Sequence, residues 1–106
     1  MTVTLNAPVA GLTRGRVLGV DPGLQVTGYA VVEPGRSGAR VIEAGVIRAG
    51  RAEAGLGARL DVLHRGILEV LEAFPPAAVA LEQVHSHWKH PRTAILMAHA
   101  RGVIVL

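Results

Sequence analysis

"VLGVDPGLQVTGYAVV", residues 17–32, ends a short apolar run on a single carboxylate, Asp21, and follows it at once with Pro22 and Gly23. Residues 16–21 have the nearly continuous apolar character of a strand covered on both faces. Asp21-Pro22-Gly23-Leu24 carries Pro at the second and Gly at the third turn position, which predicts a type II turn and a reversal of the chain. Residues 26–33, rich in β-branched side chains, form the returning strand, and 34–38 hold a second turn. Residues 40–48, with Ile42, Ala44 and Val46 sharing a face, form a third strand. Such an antiparallel meander leaves its first and third strands pointing the same way.

Past residues 50–57, Leu60, Leu63, Ile67, Val70 or Leu71, and Phe74 recur at helical spacing. Arg59, Asp61, Arg65, Glu69 and Glu72 occupy the other faces, with Asp61 one turn from Arg65. Pro75-Pro76 stops this helix. "AAVALEQV", residues 77–84, is a second short apolar run ending in a charge, Glu82. A strand-helix-strand crossover makes it parallel to the third strand and so to the first. Asp21 and Glu82 then end their strands at the same edge of the sheet. If the two strands are neighbours, the carboxylates lie about 5 Å apart.

"HSHWKHPRTA", residues 85–94, is a polar loop leading into a helix with Pro91 in its first turn. That helix is apolar almost all round, with Arg92, His99 and Arg101 as a narrow polar stripe, so a second surface such as a partner subunit is expected to cover it. Residues 1–15 lack periodicity and are expected to form a flexible extension ahead of a domain spanning 16–106. The sequence stops on "GVIVL" with no polar cap, the pattern of a C-terminally truncated chain.

Composition narrows the function classes. The chain has 106 residues, half of them apolar, enough for one core. Eleven Lys and Arg face eight Asp and Glu for a net +3. Ten of the eleven are Arg, the residue suited to bidentate phosphate contacts. With no cysteine, disulfides and thiolate metal sites are excluded. Neither a signal-peptide pattern nor a run of about 20 apolar residues occurs. A cytoplasmic protein without a membrane partner is expected.

Two carboxylates at neighbouring strand ends repel each other unless a counter-charge joins them. A hard divalent cation such as Mg²⁺, which takes one or two carboxylates plus water and phosphate oxygens, would resolve the conflict and suits phosphodiester hydrolysis. On spacing alone the alternative stays open: Asp21 as a turn-capping residue and Glu82 as a solvated surface residue. His85, His87 and His90 crowd one loop without cysteine, a poor zinc set. Gly28 either admits a close approach or marks a bulge.

"LGVDPGLQVTGYAVV" and "ALEQV", followed by a helix carrying "MAHARGVIVL", resemble the RuvC family of Holliday junction resolvases, in the ribonuclease H-like superfamily. The resemblance runs from about residue 16 to the end. It implies an α/β fold with a five-stranded mixed sheet flanked by helices, here incomplete at the C-terminus. It implies a homodimer that makes paired, Mg²⁺-dependent nicks in a four-way DNA junction, with Mn²⁺ as a substitute and a branch-migration helicase complex as partner. Asp21 and Glu82 match the first two of the family's four catalytic, metal-binding carboxylates; the other two belong to a later helix beyond residue 106. His85, Trp88, Lys89 and Arg92 fall in the stretch that in the family contacts DNA; His85 stands where the family carries an aromatic, with Trp88 three residues later. The resemblance implies base stacking by these rings and phosphate binding by Lys89 and Arg92. Two other classes are an actin-like or sugar-kinase-like ATPase, which needs a second phosphate loop absent from this sequence, and a non-catalytic dimerising or junction-binding fragment.

Overall fold

The computed structural model describes residues 3–5, 15–23, 25–82 and 91–106. Its strands are β1 (Val3–Leu5), β2 (Val17–Asp21), β3 (Val26–Gly35), β4 (Gly38–Arg48) and β5 (Ala78–Glu82). Its helices are α1 (Leu56–Ala73), preceded by a single 3₁₀ turn at Ala52–Ala54, and α2 (Pro91–Val105). The strands form one sheet in the order β1-β5-β2-β3-β4.

The expected meander is present, with β2 antiparallel to β3 and β3 antiparallel to β4. The crossover through α1 returns β5 parallel to β2, paired Val17 with Ala78 through Val20 with Leu81. The β3–β4 hairpin is tighter than its sequence suggests, because Pro34 and Gly35 stay in the ladder opposite Ala39 and Gly38. The β2 pairing stops at Val32, so Pro34 lies where a missing backbone donor costs least. The one register shift in this ladder falls between Val31 and Val32, not at Gly28.

Residues 1–15, read as an extension ahead of the domain, contribute β1, which pairs antiparallel with β5 from Val3 opposite Glu82 to Leu5 opposite Ala80. Three residues are too short to show a period, while the free edge of β5 supplies the backbone partners that make a strand there.

Alternation along the strands sorts the sheet into two unlike faces. Leu18, Val20, Val31 and Leu81 are buried with Leu63, Ile67 and Val70 of α1 and Ala100 of α2. Fully burying each large side chain of this cluster stabilises the fold by about 1.5–3 kcal/mol. The apolar stripe on α1 thus packs as its spacing predicts, and the helix stops as Pro75-Pro76 dictates, with the Phe74 N–H donating to the Val70 carbonyl at 2.9 Å. Gly66 lets α1 lie close on β4, for a Cβ there would sit 2.8 Å from Ile47 Cγ2.

Arg59, expected on a polar face, is buried at 8% exposure, and its Nε has no hydrogen-bond partner. It lies one turn before Leu63 on the same stripe, where the aliphatic stem serves as packing surface. Asp61 and Arg65 form the expected ion pair one turn apart. Both described helices join the same core cluster, against the face of the sheet that carries Leu18, Val20, Val31 and Leu81. On the other face Val26, Val41 and Val46 are 40%, 60% and 51% exposed.

Candidate active site at the ends of β2 and β5

Asp21 and Glu82 are each the last residue of their strand. Each follows directly on the last pair of the parallel ladder, Val20 with Leu81. The two therefore occupy equivalent positions on adjacent strands, with backbones about one strand spacing of 4.8 Å apart across the sheet. By alternation they share the helix-free face with Gly19 and Ala80. The adjacency that the sequence left conditional is thus present.

The floor between them is made of small residues. A cleft of about 290 Å³ is lined by Gly19, Val20, Asp21, Gly28, Tyr29, Ala30, Ala80 and Glu82. Gly28 pairs with Asp21 across the β2–β3 ladder, and a Cβ built on it would meet nothing within 4 Å. Of the two roles the sequence offered, the bulge is not at Gly28; the open room beside the carboxylate is compatible with the close approach of a ligand. Asp21 is exposed and Glu82 half-buried.

The turn after Asp21 is held by Thr27, which lies within the 17–32 motif but whose holding role the motif alone does not reveal. The Gly23 N–H donates to Thr27 Oγ1 at 3.2 Å, and the Thr27 hydroxyl donates back to the Gly23 carbonyl at 3.0 Å. Thr27 is 1% exposed, so this pair of bonds lies at the edge of the core. Its signal was a hydroxyl residue at a core-facing strand position, four residues past the turn glycine.

The type II turn is not borne out. Among the described residues, positive φ occurs at Gly38, Gly50 and Gly55 and not at Gly23. Glycine is needed at 23 for space, since a Cβ there would lie 2.3 Å from the Val26 carbonyl oxygen. Pro22 is buried beneath the turn. Asp21 thus precedes a segment pinned from both sides, which fixes where its carboxylate begins.

The donor set suits a hard cation in part. Two carboxylates with a small-residue floor meet the protein share that Mg²⁺ ordinarily takes, the rest being water and substrate oxygen. Among the described residues no group of three or more His, Asp or Glu is assembled. His85, Trp88 and Lys89, and the His85, His87 and His90 set weighed for zinc, lie outside the described residues. Arg92 falls in the first turn of α2, and its side chain too lies outside the description. His99 is exposed on α2.

A family model described as crossover junction endodeoxyribonuclease RuvC matches residues 17–106. The chain belongs to the RuvC family. Among curated RuvC relatives, that of Rhodopirellula baltica is 51% identical over 92 residues, covering 85% of this chain and 50% of the relative. That of Halorhodospira halophila is 44% identical over 87 residues, covering 82% and 50%. The solved Thermus thermophilus RuvC in complex with Holliday junction substrate superposes with a TM-score of 0.74 at 28% identity, over 85% of this chain and 55% of that one. The chain thus spans about half the length of the RuvC proteins it matches, and the ribonuclease H-like fold expected from the motifs is the fold it has. No helix among the described residues is long and apolar enough to cross a membrane.

Proposed function

We propose that this chain supplies the Asp21 and Glu82 half of a structure-selective DNA endonuclease that resolves Holliday junctions in recombination and repair. The observation that carries the reading is the pair of carboxylates ending adjacent parallel strands over one cleft, in a chain whose family members are named crossover junction endodeoxyribonucleases. Asp21 and Glu82 are the residues that would hold Mg²⁺, with Mn²⁺ as a substitute. When bound, the ion supplies an activated water and charge stabilisation on a phosphoryl oxygen. The chain's own part is to fix the two carboxylates: the Thr27–Gly23 bonds anchor the segment after Asp21, and the β2–β5 ladder sets the spacing to Glu82.

His85, Trp88, Lys89 and Arg92 are the DNA-contacting set in this reading. Their support is sequence position, directly after Glu82 and into the first turn of α2. A ring such as His85 or Trp88 stacks on bases, and Lys89 and Arg92 bind phosphate. The protein works as a homodimer, matched to the two-fold symmetry of a four-way junction. Supporting this, Ile95 and Val105 of α2 are 61% and 56% exposed. The branch-migration helicase partner and the cytoplasmic setting rest on the family resemblance alone.

The test is a chimaera in which residues 17–106 replace the matching half of the Rhodopirellula baltica relative, assayed on a synthetic four-way junction with Mg²⁺. Paired nicks are expected, and Asp21→Asn or Glu82→Gln is expected to abolish them while junction binding persists. Undiminished nicking by both variants would overturn the assignment.

A further inference from the structure

A second feature lies at the same end of the sheet and is unused by the carboxylate pair. Gln25, Val26, Arg48, Gly50, Arg51 and Glu53 line an open cleft of about 670 Å³. Arg48 ends β4 opposite Val26 and falls on the helix-free face that also carries Asp21. Asp21 pairs with Gly28 and Gly28 with Val46, so Arg48 stands two strands across and two residues along from Asp21. Their Cα atoms are therefore roughly 12 Å apart. The chain turns at Gly50, whose φ is +97°, and Arg51 joins Arg48 in the lining of the same cleft.

The cleft has a firm base. The buried Ala49 donates its N–H to the Gln25 carbonyl at 2.9 Å, tying the end of β4 to the start of β3. Both arginines are exposed, and neither forms an ion pair or side-chain hydrogen bond among the described residues. This contrasts with Arg16, Arg40 and Arg65, each of which has a carboxylate partner. Two unneutralised guanidinium groups beside a cleft offer forked donors matched to phosphate oxygens.

We infer that Arg48 and Arg51 form a second DNA-contact site, which grips backbone phosphates of the strand whose scissile linkage lies over Asp21 and Glu82. The site deepens the endonuclease reading and rests on it. The contacts go to phosphate and carry no base information; they set the strand's register over the carboxylates. Glu53, at the rim of the same cleft, opposes the strand's charge and lowers its affinity.

The test measures binding of the 106-residue chain to a fluorescent four-way junction and to a linear duplex across a salt series. Removing one arginine–phosphate interaction makes the slope of log K against log salt shallower by about 0.9, which is about eightfold weaker binding at 0.1 M relative to a 1 M reference. Arg48→Gln and Arg51→Gln are each expected to show that change. Arg36→Gln, in the exposed β3–β4 turn at the opposite end of the sheet, is expected to keep the wild-type slope. Glu53→Gln is expected to tighten binding by on the order of twofold, the scale of one exposed charge interaction. Wild-type slopes in both arginine variants, or an equal loss in Arg36→Gln, would overturn the site while leaving the endonuclease reading intact. A wild-type chain that binds neither probe at low salt would fail that reading and this site with it.

Discussion

The two faces of the sheet divide the molecule's labour. Under the helices, Leu18, Val31, Leu63 and Leu81 are at most 1% exposed, and close packing there makes each side chain's volume matter. On the open face, Gly19, Gly28, Ala30 and Ala80 floor a cleft beneath Asp21 and Glu82, where little is packed and space is what counts. Charges follow the same division. Glu33, on the side of β3 that faces α1, accepts hydrogen bonds from Arg40 at 2.7 Å and Arg16 at 3.4 Å, and the Arg16 guanidinium lies 6.0 Å from the Phe74 ring centre. Asp21 has no ion pair among the described residues. Among the described residues, one carboxylate is paired with two arginines and the other has no ion-pair partner.

The largest effect expected on stability is from the covered face. Leu81→Ala removes a fully buried side chain of β5 from the cluster shared with the helices, and a loss of about 2–5 kcal/mol is expected in chemical denaturation. Gly66→Ala comes next: its methyl would sit 2.8 Å from Ile47 Cγ2, and overpacking of this kind costs about 1–3 kcal/mol. On the open face Gly28→Ala meets no atom within 4 Å, and Asp21→Asn removes an exposed charge. Both are expected within about 0.5 kcal/mol of wild type in the same denaturation experiment. A core-sized loss from either would break the division between the faces.

Acid sensitivity sharpens the comparison further. The Arg40 and Arg16 hydrogen bonds hold the Glu33 carboxyl below the usual carboxylate range. A lowered folded-state pKa means that the unfolded chain binds the proton first, so this contribution is complete above the ordinary glutamate value and is lost as pH falls through the lowered one. Glu33→Gln is therefore expected to flatten the decline of thermal stability on the acid side and to leave its neutral-pH slope alone. Equal acid slopes in the variant and the wild type would show that the pair is not coupled to folding.

Much of this was legible in the sequence because the apolar runs, turns and prolines point to the same arrangement. The β2–β3–β4 meander, the α1 stripe from Leu60 to Phe74, and the shared sheet edge of Asp21 and Glu82 all follow from local pattern and chain direction. What stayed hidden depended on backbone proximity. The pairing of Val3–Leu5 with β5 is set by a partner far along the chain, and Gly23 is required by the Val26 carbonyl rather than by its own φ. Arg59 reads as polar by type yet lies on the buried stripe. Arg48 and Arg51 share a cleft only because Gly50 turns the chain between them.

The central claim is that Asp21 and Glu82, ending adjacent parallel strands, bind a divalent cation and that Glu33, held by Arg16 and Arg40, does not. Titrating Mn²⁺ into the isotope-labelled 106-residue chain and following paramagnetic broadening of the amide signals tests it directly. The account expects broadening confined to the amides around Asp21, Gly28 and Glu82, displaced by excess Mg²⁺ and lost in Asp21→Asn. Broadening centred on Glu33, or none near Asp21 at millimolar Mn²⁺, would contradict it.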